Sequence, residues 1–130
     1  MNIPKELKYA RTDEWAKVDG DEVVLGISDF AQDQLSDIVY VELMVEEGDS
    51  VNKGDTAATI ESVKAAADVN FPLSGSIIAV NEDLADAPEV LNNDPYNAGW
   101  MVRIKPDDLS ELDDMMDADT YAANIEEREG

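Results

Sequence analysis

The sequence predicts a mostly β fold of the barrel or sandwich type, in a single domain spanning residues 1–130. Short stretches of apolar residues are separated by closely spaced turn signals at Asp19-Gly20, Gly48-Asp49, Gly54-Asp55 and Gly75, the pattern of many short strands. Length is the second observation, since 130 residues fit one domain with a real core. Composition is the third: 44% hydrophobic residues separate the chain from a disordered acidic tail despite its net charge of −22.

The elements follow in order. Glu14 to Val18 and Glu22 to Ile27 flank Asp19-Gly20 and predict a hairpin, because Asp-Gly tolerates positive φ. Ser28 is placed to cap a short helix through Phe30, Ala31 and Leu35, its hydroxyl accepting from a free first-turn amide. Ile38 to Val45 alternates, and the wholly apolar set Val39, Val41, Leu43 and Val45 is predicted to face inward. The two Gly-Asp pairs predict tight reversals on either side of Val51. Thr56 to Ile60, Val69 to Phe71 and Ser76 to Val80 are further strand candidates. Pro88 to Leu91 reads as a helical turn with proline near its start, and Trp100 to Lys105 as a last strand ended by Pro106. From Asp107, Leu109, Leu112, Met115, Met116, Tyr121, Ala122 and Ile125 recur at helical spacing, predicting one or two amphipathic helices with an acidic outer face.

Charge and composition exclude several classes of function. With no His and no Cys, there is no thiol nucleophile, no Ser–His–Asp triad and no Cys- or His-based zinc site; no metal and no catalytic residue is expected. Nine Lys and Arg against 31 Asp and Glu argue against nucleic acid and anionic membranes, both of which demand clustered cations. The acidic excess fits either solvation or docking to basic partners. No apolar run approaches the roughly 20 residues of a membrane span, and the N-terminus has neither an h-region nor an Arg-rich amphipathic stretch; the cytoplasm is the expected compartment.

Lys64 stands alone. It is the one basic residue between Lys53 and Arg103, among Asp55, Glu61, Asp68, Glu82, Asp83, Asp86, Glu89 and Asp94. Val63 precedes it and Ala65, Ala66 and Ala67 follow, so small neighbours leave its amine accessible at the end of a four-carbon stem. A solubilising lysine, a Schiff-base nucleophile and an attachment point for a carried group all use such an amine. Anionic surroundings favour its charged form and work against nucleophilic use. Attachment of a biotin- or lipoamide-type carrier has no such requirement. By propensity alone, Glu61 to Ala67 reads as helix, with no Gly, Asn or Pro to mark a turn.

Glu61-Ser62-Val63-Lys64-Ala65, followed by Pro72-Leu73-Ser74-Gly75-Ser76-Ile77 and Val80-Asn81, resembles the lipoylation region of the glycine cleavage system H protein family. Leu7-Lys8-Tyr9, Asp13-Glu14-Trp15, Gly26-Ile27-Ser28, Ala31-Gln32 and Tyr96 to Trp100 are similar in order and spacing, so the resemblance runs from about residue 3 to residue 128. It implies a barrel-sandwich hybrid of the lipoyl/biotinyl-like type, with short helices toward both ends and an acidic C-terminal helical segment. Lys64 would sit at the tip of a hairpin between strands Thr56 to Glu61 and Ala67 to Phe71, framed by turns at Gly54 and Gly75. That replaces the helix expected from propensity.

The resemblance also implies a carrier rather than an enzyme, with lipoate in amide linkage to Lys64. In the family, the arm takes an aminomethyl group from the pyridoxal-phosphate-dependent glycine decarboxylase. It presents that group to the tetrahydrofolate-dependent aminomethyltransferase and is reoxidised by dihydrolipoyl dehydrogenase. The loaded arm is shielded in a cleft, whose matching positions here are Thr12, Glu14 and Asp68. Two carboxylates suit a protonated amine. Glu61, charged and near the target amine, is the expected mark for the lipoylating enzyme, and a monomer is expected. The family commonly has histidine immediately before the Glu-Trp pair, where this chain has Asp13. A lipoyl relay, a biotin carrier (which usually has methionines flanking the lysine), an unmodified acidic adaptor and a Schiff-base enzyme are the competing expectations.

Overall fold

The computed structural model describes residues 1–129. Along the chain run β1 (Lys8–Tyr9), β2 (Glu14–Asp19), β3 (Glu22–Ile27), α1 (Asp29–Leu35), β4 (Ile38–Leu43), β5 (Ser50–Val51), β6 (Thr56–Ser62) and β7 (Ala66–Asn70). They are followed by β8 (Gly75–Val80), α2 (Asp83–Asp86), α3 (Val90–Asn93), β9 (Val102–Pro106), a 3₁₀ turn (Leu109–Asp114) and α4 (Ala118–Glu129). Six strands form one antiparallel sheet in the order β1-β2-β3-β9-β8-β5, and three form a second in the order β4-β6-β7. This is the mostly β architecture expected, with helices toward the ends.

The main core lies between the sheets, where Val23, Leu25, Ile27, Ile77 and Ile104 meet Ile38, Val41, Ile60 and Val69. A second cluster covers the outer face of the larger sheet: Trp15 and Val24 pack with Leu7, Tyr9, Phe30, Tyr121 and Ile125. Adjacent strand residues point to opposite faces, so Val23, Val24 and Leu25 serve two cores in turn. That explains an unbroken apolar run inside an antiparallel sheet.

Ser28 caps α1 as expected, its Oγ accepting from the Ala31 N–H at 3.2 Å. The β2–β3 hairpin is present, but Asp19 pairs with Glu22, so the two-residue turn is Gly20-Asp21 rather than Asp19-Gly20. Gly20, at φ 66°, takes the positive-φ first position. β4 departs from strict alternation: a bulge between Ile38 and Tyr40 turns Ile38 inward at 3% exposure and Val39 outward at 56%. One extra residue inverts the faces on one side of the bulge, so Val39 leaves the core while Val41 stays in it.

The two Gly-Asp reversals are built alike. The Asp49 N–H donates to the Glu46 carbonyl and the Asp55 N–H to the Asn52 carbonyl, while each Asp side chain accepts the opposing backbone N–H at 2.8 Å. Gly48 and Gly54 occupy the third positions at φ 94° and 95°, which a side chain disfavours. Gly75 differs from expectation: it opens β8, paired to Val51 and Pro106, and is not a turn residue. A Cβ there would stand 2.2 Å from the Lys105 carbonyl oxygen, so glycine permits the approach of β9.

Other boundaries move. The last strand starts at Val102 and includes Pro106, which needs no inward N–H at the strand end. β7 covers Ala66–Asn70 and leaves Phe71 outside, and α2 and β1 were not anticipated. The C-terminal segment is helical, but its first part is 3₁₀ and Leu109 is 44% exposed, so helical spacing overstated the core there. α4 starts after Asp117, whose carboxylate accepts the Thr120 N–H at 2.8 Å.

Candidate functional site

The segment that propensity assigns to a helix is a hairpin tip, as the family resemblance implied. β6 and β7 pair through Glu61 and Ala66, and the chain reverses over Ser62-Val63-Lys64-Ala65. No residue of the tip has positive φ. The turn is instead held by Ser62, whose Oγ accepts from the Lys64 N–H at 3.1 Å and the Ala65 N–H at 2.9 Å. The Ser62 N–H donates to the Ala65 carbonyl, and the Val63 N–H donates to the Asp37 carbonyl at 3.0 Å, buttressing the tip against the approach to β4. A serine hydroxyl thus does what Gly or Asn does elsewhere. Ser62 holds the turn that presents Lys64, and sequence reasoning missed it. A serine two residues before the isolated lysine was its available signal.

Lys64 is exposed at this tip, beside exposed Val63, Ala65 and Ala66. Among the described residues it takes part in no ion pair. Glu61 is exposed one strand position before the turn, opposite Tyr40 on β4.

Thr12, Glu14 and Asp68 come together around one cleft of about 170 Å³. Its apolar wall is Ile27, Ala31, Leu35, Ile60, Ala67 and Val69, and its polar lining adds Asp13 and Gln34. β7 is an edge strand, so the cleft opens along a strand that begins at the Lys64 turn. Ala67, the second residue of β7, is three residues on from Lys64 and so within about 10 Å of it.

Glu14 is 2% exposed. The Thr12 hydroxyl donates to Glu14 Oε1, and the Asn70 N–H, on the free edge of β7, donates to Oε2 at 3.2 Å. Burial is the larger influence and raises the carboxyl above its ordinary range, while the Thr12 and Asn70 bonds pull it back. The result is a desolvated acceptor pair facing an apolar cleft, which suits a cation lacking its own hydration. Asp68 is exposed, and its Oδ1 accepts from the Thr59 hydroxyl at 3.3 Å across the β6–β7 ladder. Its carboxylate therefore marks the mouth of the cleft and Glu14 its inner end.

Asp13 also lines the cleft, but its carboxylate is taken by Arg128 and Tyr121 of α4. A second recess of about 280 Å³ also touches Thr12 and Glu14 and is lined by Arg11, Lys53 and Asn70. A larger surface cavity, about 620 Å³, lies elsewhere, by Leu43, Glu46, Glu47 and Glu82, and touches none of the expected site residues. Among the described residues there is no cluster of His, Cys, Asp or Glu able to hold a metal ion, and no helix long and apolar enough to cross a membrane.

Comparison with known proteins gives a consistent outcome. The family model described as "Glycine cleavage H-protein" matches residues 7–128. A "Glycine cleavage system H protein" of Idiomarina loihiensis is 55% identical over 127 residues, covering 97% of this chain and 98% of that protein. A protein of the same name from Anaeromyxobacter sp. (strain K) is 50% identical over 129 residues, covering 99% and 100%. The crystal structure of a glycine cleavage system H protein from Mycobacterium marinum superposes with a TM-score of 0.86 at 32% identity, over 95% of this chain and 99% of that one.

Proposed function

Because the chain belongs to the glycine cleavage H-protein family, a carrier component rather than an enzyme, we propose that it is a lipoyl carrier with Lys64 as the attachment point. In this reading residues 1–130 act as one monomeric carrier domain in the cytoplasm. It shuttles the aminomethyl group of glycine from the decarboxylase to the aminomethyltransferase, and reducing equivalents to dihydrolipoyl dehydrogenase.

One observation carries the proposal: an exposed lysine, in no ion pair among the described residues, stands at the tip of a strand whose open edge leads to a cleft ending at a buried carboxylate. The residues present fit the group. Val63, Ala65 and Ala66 leave the amine clear, and amide formation removes a charge that no described residue pairs. The apolar wall of Ile27, Leu35, Ile60 and Val69 suits a hydrocarbon arm. Bound lipoate supplies the disulfide that accepts the carried group.

The chain's own residues bind, orient and shield. Glu14 holds a protonated amine through a desolvated carboxylate, Thr12 fixes that carboxylate's rotamer, and Asp68 draws the cation to the mouth. Ser62 and the Val63–Asp37 bond present Lys64 in a rigid turn, and Glu61 gives the lipoylating enzyme a charge beside it. The test is exchange of labelled bicarbonate into the carboxyl of glycine, catalysed by glycine decarboxylase. The lipoylated chain should support it and the Lys64→Arg chain should not. Exchange by the unmodified chain would overturn the proposal.

A further inference from the structure

The loop that carries Thr12 and Glu14 is held from behind by the end of α4. Asp13, between them, has its backbone at φ 77°, a left-handed conformation that Asp tolerates better than most residues. Its N–H donates to the Ala10 carbonyl at 3.0 Å, and its carbonyl accepts the Ser28 N–H at 2.9 Å. The Ala10 N–H donates to the Glu14 carbonyl at 2.9 Å, closing the loop on itself. Rotation of Asp13 therefore moves Thr12 and Glu14 with it.

What sets that rotation is a fork. Arg128 donates from Nη2 to Asp13 Oδ1 at 2.7 Å and from Nη1 to Oδ2 at 3.2 Å, and the Tyr121 hydroxyl donates to Oδ1 at 2.8 Å. The Ser28 and Tyr121 hydroxyls lie 2.7 Å apart, and the Arg128 guanidinium sits 4.8 Å over the Phe30 ring of α1. Tyr121 and Arg128 are two turns apart on one helix face, about 10 Å.

α4 does not depend on this fork for docking. Tyr121 stacks on Tyr9 at 4.5 Å, Ile125 is buried, and Tyr9 and Met116 exchange backbone hydrogen bonds of 2.8 and 2.7 Å. The fork is therefore available to orient Asp13.

We infer that Arg128 is a positioning residue for the cleft: its fork on Asp13 fixes the loop that presents Glu14 and Thr12 to the arm, so α4 governs how long a loaded arm stays shielded. This rests on the carrier reading. Replacement of the fork by Arg128→Ala should shorten the lifetime of the loaded carrier about fivefold, the low end of coupling between linked sites. Asp13→Asn, which keeps the left-handed backbone and the Tyr121 bond, should do the same. The double variant should be no worse than the stronger single, and Arg128→Lys, a point charge without the fork, should recover part of the loss.

The rate of lipoyl attachment at Lys64 should be unchanged in all four. In the unmodified protein, the amide resonance of Asn70, which donates to Glu14, should shift in Arg128→Ala and return partway in Arg128→Lys. An unmoved Asn70 resonance with an unchanged lifetime overturns the inference, as does an equal fall in lipoyl attachment, which would mark a global structural role. Should Arg128→Ala loosen α4, Asp13→Asn decides alone. A wild-type chain that gives the loaded arm no protection removes the carrier reading and this inference together, whereas protection indifferent to Arg128 removes only the inference.

Discussion

Glu14 shows at the scale of one residue what burying a carboxyl costs. Its carboxyl is raised by burial, so the folded state holds a proton there more tightly than the unfolded chain does. For an acid raised on folding, its favourable contribution is present below the unfolded value and is lost as pH rises through the folded one. Glu14→Gln removes the buried charge and keeps an oxygen for Asn70. It should raise the melting temperature at neutral pH by a few degrees, an advantage that vanishes on acidification, while shortening the lifetime of the loaded carrier. Scanning calorimetry across pH checks the first part, and an unchanged melting temperature at neutral pH would contradict it. Ser62→Ala should cost about 1 kcal/mol in urea denaturation, because two amides at the tip lose their acceptor, and should slow lipoyl attachment. Isolation in charge made Lys64 stand out, but its expected role as attachment point came from the family pattern, as did the cleft positions Glu14 and Asp68 that the fold brings together. The burial of Glu14 was not legible, since alternation in β2 cannot say that both faces of the sheet are covered. Nor was the Asp13–Arg128 pair, which joins positions far apart in the chain.

Among the elements, hairpins and turns decide where the site stands. The β6–β7 hairpin was missed by propensity because its turn uses a side-chain hydroxyl, a local bond that competes with helix without leaving a Gly or Pro signature. The bulge in β4 was missed because period-two alternation has no term for an inserted residue. The paired Gly-Asp turns were legible, since positive φ limits the residue choice. Gly75 was legible as a required glycine but for the wrong reason. The two kinds of glycine separate by experiment. Gly54→Ala meets open space and only a φ penalty, and should cost about 1 kcal/mol. Gly75→Ala drives a Cβ into the Lys105 carbonyl and should cost about 3 kcal/mol or more. Equal losses in urea denaturation would contradict the assignment.

Across the whole molecule, one main core joins two sheets, and a second core fastens α1, α4 and the N-terminal segment to the outer face of the larger sheet. The apolar pattern announced the first; the second needed the knowledge that α4 folds back on Tyr9 and Trp15. Over this frame the charge is −22, and self-repulsion opposes compaction. Salt should therefore raise the melting temperature between low ionic strength and about 0.5 M, as the Debye length contracts; a fall would mean that ion pairs outweigh repulsion. The lack of His and Cys fits a scaffold whose reactive sulfurs arrive on a carried group, and that is the claim the fold most needs tested. Its most direct measurement is the intact mass of the chain after incubation with lipoate and a lipoylating enzyme, followed by peptide mapping. One lipoyl increment is expected, on Lys64, and none in Lys64→Arg. An unmodified Lys64, or an increment on another lysine, would contradict the claim.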